Sequence, residues 1–266
     1  MDVIRLKAKE LMDGGEVKAL LGYAVGGFGR RRPLVVRTAR DLDQLIFDEA
    51  CTMNLAGLLA KQEVRNLGRL AILGGPVMLR SLLQLLAERQ LKDGDVLAIV
   101  MEGGEVKVLG TAAAIEEYLA LKAHEMPAAD QARIAALQAM GPAERWAWWQ
   151  KELDRCVKCY ACRQTCPMCY CPHCTMDGNR PQWVPVASHN LGNFEYHVVR
   201  AMHLAGRCVQ CGECGTACPV GIPVHLLTMF AEESAVQQFG QRAGHTAKLD
   251  YALSTFRPGD KETFIR

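Results

Sequence analysis

Eight cysteines stand in two runs of identical spacing, Cys156-x-x-Cys159-x-x-Cys162-x-x-x-Cys166-Pro167 and Cys208-x-x-Cys211-x-x-Cys214-x-x-x-Cys218-Pro219. This is the C-x2-C-x2-C-x3-C-P pattern that holds a pair of 4Fe–4S clusters. Three thiolates two residues apart wrap one face of an iron–sulfur cube, while loop amides point at the sulfides and temper their charge. The fourth cysteine, set off by three residues and followed by proline, reaches across to the other cube. The expected ligands are therefore Cys156, Cys159, Cys162 and Cys218 for one cluster, and Cys208, Cys211, Cys214 and Cys166 for the other. Paired zinc sites are the competing reading. Zinc knuckles, however, use two cysteines each with longer gaps, and have no use for a third followed by Cys-Pro.

The chain has twelve cysteines, and Cys169, Cys171 and Cys174 crowd into six residues just past the first run. A two-cluster module does not need them. They could hold three corners of a third 4Fe–4S cluster, with Cys51, the only cysteine left, as the fourth ligand. Cys51 falls at an expected helix start, where backbone dipoles favour an anionic ligand. The alternatives are a zinc site completed by His173, or thiols with a structural or redox role.

The elements that must position these residues divide the chain in four. Residues 1–125 read as an α/β domain. A helix over Val3–Met12 ends at Gly14-Gly15, and apolar runs follow at Val17–Val25 and Leu34–Val36. A helical stretch is expected from Thr52 to Val64, then a buried strand at Leu70–Leu73 and a helix opened by Gly74-Gly75-Pro76. Strands at Val96–Met101 and Val106–Leu109 and a helix capped by Thr111 complete the unit, which suggests a largely parallel sheet. Residues 126–154 read as a helical connector. Its Trp146, Trp148 and Trp149 suit a core joining the domains or, alternatively, a partner surface. Residues 155–225 form the cysteine module, expected as a small α+β bacterial-type dicluster ferredoxin domain with an inserted helix, and residues 226–266 supply a last helix and a polar tail.

At 266 residues, half apolar and 23% charged, the chain has the composition of a globular protein. A formal net charge of +2 gives no field that advertises nucleic acid. No apolar run approaches the ~18–20 residues needed to span a bilayer. The opening MDVIRLKAKELMDGG lacks a secretory h-region, so a cytoplasmic location is expected, and dense cysteine in a reducing compartment reads as metal ligation. No Ser/His/Asp set or suggestively spaced carboxylate pair appears. The Gly74 turn is too plain for a nucleotide fingerprint. The Gly26-Gly27-Phe28-Gly29 loop with Arg30-Arg31-Arg32 reads first as a solvated basic loop, and second as a grip for a nucleotide or an acidic partner.

The stretches Arg155-Cys156-Val157-Lys158-Cys159-Tyr160-Ala161-Cys162-Arg163, Cys166-Pro167-Met168-Cys169-Tyr170-Cys171 and His203-Leu204-Ala205-Gly206-Arg207-Cys208 carry a resemblance. So do Cys218-Pro219-Val220-Gly221-Ile222-Pro223 and the intervening Arg180-Pro181-Gln182-Trp183. The C-terminal half resembles the two-cluster ferredoxin module of formate dehydrogenase and deazaflavin-coenzyme (F-420) hydrogenase beta subunits. The N-terminal half is more loosely similar, in Gly22-Tyr23 and Cys51-x-x-Asn54-Leu55. Relatives often carry Gly-Cys-Asp after the central strand, where this chain has Gly74-Gly75-Pro76-Val77. The resemblance implies an electron-transfer subunit, not itself catalytic, of an anaerobic redox complex. Its partner would be a flavin-bearing, heterodisulfide-reductase-like, hydrogenase or formate-dehydrogenase subunit. Between Lys151 and His225 seven Lys/Arg face five Asp/Glu, which suits a fixed subunit better than a strongly acidic diffusing ferredoxin. Two other readings are a catalytic beta subunit that binds FAD and reduces a soluble coenzyme, and a redox sensor with a labile third centre.

Overall fold

The computed structural model describes residues 2–178 and 181–248. Helix α1 (Asp2–Asp13) buries Ile4, Ala8 and Leu11, one stripe at i, i+4, i+7. Strand β1 (Ala19–Val25) turns at Gly26–Gly29 into β2 (Arg31–Val36). A short helix α2 (Gln62–Arg65) precedes β3 (Leu70–Leu73), and α3 (Pro76–Ala87) leads to β4 (Val96–Glu102), β5 (Glu105–Leu109) and α4 (Ala112–Ala120).

The strands form one sheet in the order β2-β1-β3-β4-β5. Its central trio is parallel, with Leu20 beside Ala71 and Ala71 beside Leu97, as long helical crossovers require. Both edges are antiparallel, which corrects the largely parallel sheet expected from sequence. The reason is local: β4 and β5 are joined by Gly103-Gly104 alone, both at positive φ, a two-residue hairpin turn that can only return the chain antiparallel.

The helix expected over Thr52–Val64 is also corrected. The side-chain oxygen of Asn54 accepts the Ala56 N–H at 3.2 Å and its amide donates to Ser81 Oγ at 2.8 Å. This capture of backbone by a buried side chain starts a single 3-10 turn, Leu55–Leu58, instead of an α-helix. Cys51 therefore lies in a turn, its N–H donated to the Asp48 carbonyl, and not at a helix start.

The connector is two helices, α5 (Ala128–Ala139) and α6 (Pro142–Asp154). Trp148 and Trp149 meet edge to face at 4.8 Å and pack with Ile134, Leu137, Leu226 and Met229, while Trp146 meets Phe194 edge to face and stays half exposed. Beyond it come α7 (Ala161–Gln164), α8 (Asn190–Leu204), α9 (Glu213–Thr216) and α10 (His225–Phe239). The expected α+β character of the cysteine module is met only in its helices, since among the described residues 155–225 lie in no strand of the sheet. Arg180 and the tail beyond residue 248 lie outside the described residues. Met168 and Leu204 of the module enter the same hydrophobic core as the sheet. Among the described residues no helix is long and apolar enough to cross a membrane.

Candidate iron–sulfur centres

The two cysteine runs share one backbone design. Lys158 and Gln210, third in each run, have φ of 53° and 58°, and each turns its N–H onto the sulfur two residues back, Cys156 Sγ and Cys208 Sγ, at 3.4 Å. Tyr160 (φ 59°) and Gly212 (φ 75°) then introduce the four-residue helices α7 and α9. Left-handed backbone at three residues with a Cβ costs about 1–2 kcal/mol each, and strain of this kind concentrates where it serves a site. Here it aims amides inward at sulfur. Past the second run, Ile222 N–H closes on Cys218 Sγ at 3.3 Å.

Thiols of the two runs lie close enough to act on one another. The charges that bear on Cys156 are those of Cys162, Cys218 and Cys159. Those that bear on Cys211 are Cys166, Cys208 and Cys214. Cys218 is thus among the neighbours of the first run, and Cys166 among those of the second. Cys156, Cys159, Cys162 and Cys218 line one small cavity of about 20 Å³ together with Tyr160, Tyr196 and His197. Among the described residues no three His, Cys, Asp or Glu side chains close up as the ligands of a single metal ion do.

Helices on either side brace the runs. From α8 and its lead-in, Asn193 Nδ2 and Ser188 Oγ donate to the Cys156 carbonyl at 2.9 and 2.5 Å, and Arg200 Nη2 donates to the Cys162 carbonyl at 2.9 Å. Tyr196 Oη lies 3.6 Å from Cys162 Sγ. From α10, Thr228, whose hydroxyl donates to the His225 carbonyl at 3.0 Å, lies beside Cys208 and Cys214 and favours their thiolates. Burial, then neighbouring thiolates, pushes Cys208 up to about 12. Burial likewise raises Cys214 to about 11, against the pull of Arg200. Thiols so disposed give up their protons to a metal, so cluster loading releases protons and strengthens with pH.

Orphaned buried atoms fit the implied clusters. Arg200 Nε, His197 Nε2 and Tyr160 Oη are buried without a hydrogen-bond partner, and the last two residues line the cavity of the first four cysteines. Donors left bare beside four thiols suit a group whose sulfides accept hydrogen bonds.

The four cysteines of the expected third centre are engaged separately. Cys51 Sγ takes the Asp48 N–H at 3.4 Å, with Arg31 beside it. Cys169 donates its N–H to the Cys166 carbonyl at 3.1 Å, and its thiol lies beside Cys166 and Arg200, favouring the Cys166 thiolate while its own proton is held. The loop of Cys171 and Cys174 is held by Arg163, which donates to the Cys171 carbonyl at 2.8 Å and pairs with Asp177 at 2.8 Å. In the basic loop, Arg31 is tied to Asp48 at 2.6 Å. Sequence reasoning missed Arg200, Thr228 and Asn193, because a helical residue's reach to a cysteine loop dozens of positions away leaves no local pattern. The one available signal was the polar stripe Asn193, His197, Arg200 on α8, spaced four and three residues apart.

A family profile described as a 4Fe-4S dicluster domain matches residues 155–223. The chain is similar to the F420-dependent formate dehydrogenase subunit beta of Methanocaldococcus jannaschii, 36% identical over 76 residues. Those residues are 29% of this chain and 20% of the relative. It is also similar to the F420-dependent formate dehydrogenase 1 subunit beta of Methanococcus maripaludis, 33% identical over 96 residues, 36% of this chain and 24% of the relative. The chain thus spans no more than about a quarter of the curated relatives it matches. Within that span, the expected likeness to iron–sulfur beta subunits is borne out.

Proposed function

We propose that this chain is the iron–sulfur electron-transfer subunit of a multi-subunit redox enzyme, passing single electrons between a flavin- or metal-bearing partner subunit and that partner's acceptor. The observation that carries the reading is the grouping of Cys218 with Cys156, Cys159 and Cys162, and of Cys166 with Cys208, Cys211 and Cys214. Bound 4Fe–4S clusters supply reversible one-electron chemistry. The chain's own residues supply the thiolates, aim the Lys158 and Gln210 amides at sulfur, and keep water away by burying Cys156, Cys162 and Cys214.

In this reading residues 1–125 are an α/β body, 126–154 a helical connector, 155–225 the dicluster module and 226 onward a closing helix. The curated relatives are named as beta subunits of formate dehydrogenases, which supports a fixed place in a complex with a dehydrogenase- or hydrogenase-type partner.

The test is iron, acid-labile sulfide, zinc and flavin per chain on anaerobically purified protein. About eight iron without stoichiometric flavin supports the proposal. Stoichiometric zinc in place of iron overturns it, and stoichiometric flavin transfers the role to the catalytic, FAD-binding reading. A third cluster on Cys51, Cys169, Cys171 and Cys174 is a further part of the proposal. It raises the count to about twelve, and Cys51→Ser returns it to about eight; eight iron in both proteins rejects it.

A further inference from the structure

Arg200 is buried, 4% exposed, on α8, with thiols of both cysteine runs around it. Among the described residues none of the carboxylate ion pairs includes it; the anionic groups around its guanidinium are the thiols of Cys162, Cys166, Cys169 and Cys214. One of these belongs to the first ligand set and two to the second. Nη2 is fixed on the Cys162 carbonyl at 2.9 Å, the guanidinium contacts Cys169 Sγ, and Nε is left without a partner.

A buried cation without a carboxylate is costly unless other negative charge compensates it. A cube ligated by four thiolates is anionic and gains one further negative charge on reduction, and net charge and hydrogen bonds at the cluster set its potential. A fixed positive charge among the thiols of two such sites favours the reduced form of each, and in a dry interior that attraction is only weakly screened.

We propose that Arg200 is a charge-compensating positioning residue shared by the two cluster sites, raising both reduction potentials from a single point between them. The proposal rests on the two-cluster reading. Each reduction adds one electron to one cluster, and Arg200 keeps its proton throughout.

The test is a dithionite titration followed by electron paramagnetic resonance on the anaerobic full chain, as wild type, Arg200→Gln, Arg200→Met and Arg200→Lys, with iron counted in each. Wild type lacking about eight iron removes the cluster reading itself; every other outcome bears on Arg200. The neutral variants are expected to keep their iron while both potentials fall, each reduction equilibrium weakening at least tenfold, about 59 mV for one electron. The lysine variant should restore both. Neutral variants that lose iron while the lysine variant keeps it also support a shared charge. Potentials that stay put, a fall at one cluster alone, or iron loss in the lysine variant as well would overturn it.

Discussion

Arg207 grips Glu88 with both prongs of its guanidinium, Nε to Oε1 at 2.8 Å and Nη2 to Oε2 at 2.5 Å. Tyr170 Oη donates to the same carboxylate at 2.5 Å. Glu88 ends helix α3 of the sheet body, whereas Arg207 precedes Cys208 and Tyr170 lies between Cys169 and Cys171, so one carboxylate ties both cysteine segments to the α/β body. Burial alone would raise the Glu88 pKa, but Arg207 outweighs it and holds the carboxyl below its ordinary range.

Removing Arg207 leaves Glu88, whose side chain is 6% exposed, as a buried unpaired charge. Arg207→Met should cost about 3–5 kcal/mol in chemical denaturation, and Glu88→Gln with Arg207→Met should recover part of it. A loss below about 1 kcal/mol would mean the pair behaves as a surface ion pair.

Gly57 meets the Thr165 carbonyl so closely that an added Cβ would lie 2.7 Å from that oxygen. Since both partners there are backbone, Gly57→Ala must push the first cysteine run away from the sheet body, at about 1–3 kcal/mol. Gly75→Ala, where a Cβ meets nothing within 4 Å, is the control and should change the unfolding midpoint little. Equal midpoints for the two variants would show that the runs do not bear on Gly57.

Burial first, then the charges of Arg200 and Lys158, pushes His197 down to about 3. An unfolded histidine takes up its proton near pH ~6.5, and the folded one does not until far lower. The unfolded state thus binds more protons across this window. Stability from neutral His197 is complete above ~6.5 and falls with pH below it, by up to about 1.4 kcal/mol per pH unit. His197→Gln should flatten the decline of the urea midpoint between pH ~7.5 and ~5.5 in the cluster-bearing protein. An unchanged slope would assign the acid sensitivity to other groups.

The parts of this molecule that repeat locally were legible in its sequence. Two eleven-residue patterns singled out the cysteines of a dicluster module, and Gly103-Gly104 marks a tight turn between strands. What escaped notice acts at a distance. Glu88 and Arg207 are 119 residues apart, and Arg200 reaches the Cys162 carbonyl over 38. The expected helix at Thr52–Val64 failed because the buried Asn54 side chain captures a backbone N–H, a competition that depends on Ser81 fixing the other end of its amide. Cys51 was assigned a helix start for the same reason, and the structure sets it in the turn with Asp48 and Arg31 instead.

The exchange of fourth ligands is the claim on which the account turns, and serine variants test it most directly. Cys159→Ser and Cys211→Ser each damage one cluster and define its spectrum and potential. Cys218→Ser should then reproduce the Cys159→Ser signature, and Cys166→Ser that of Cys211→Ser, each by paramagnetic resonance during reductive titration of the anaerobic protein. If Cys218→Ser instead matches Cys211→Ser, each run keeps its own four cysteines and the crossed arrangement is wrong.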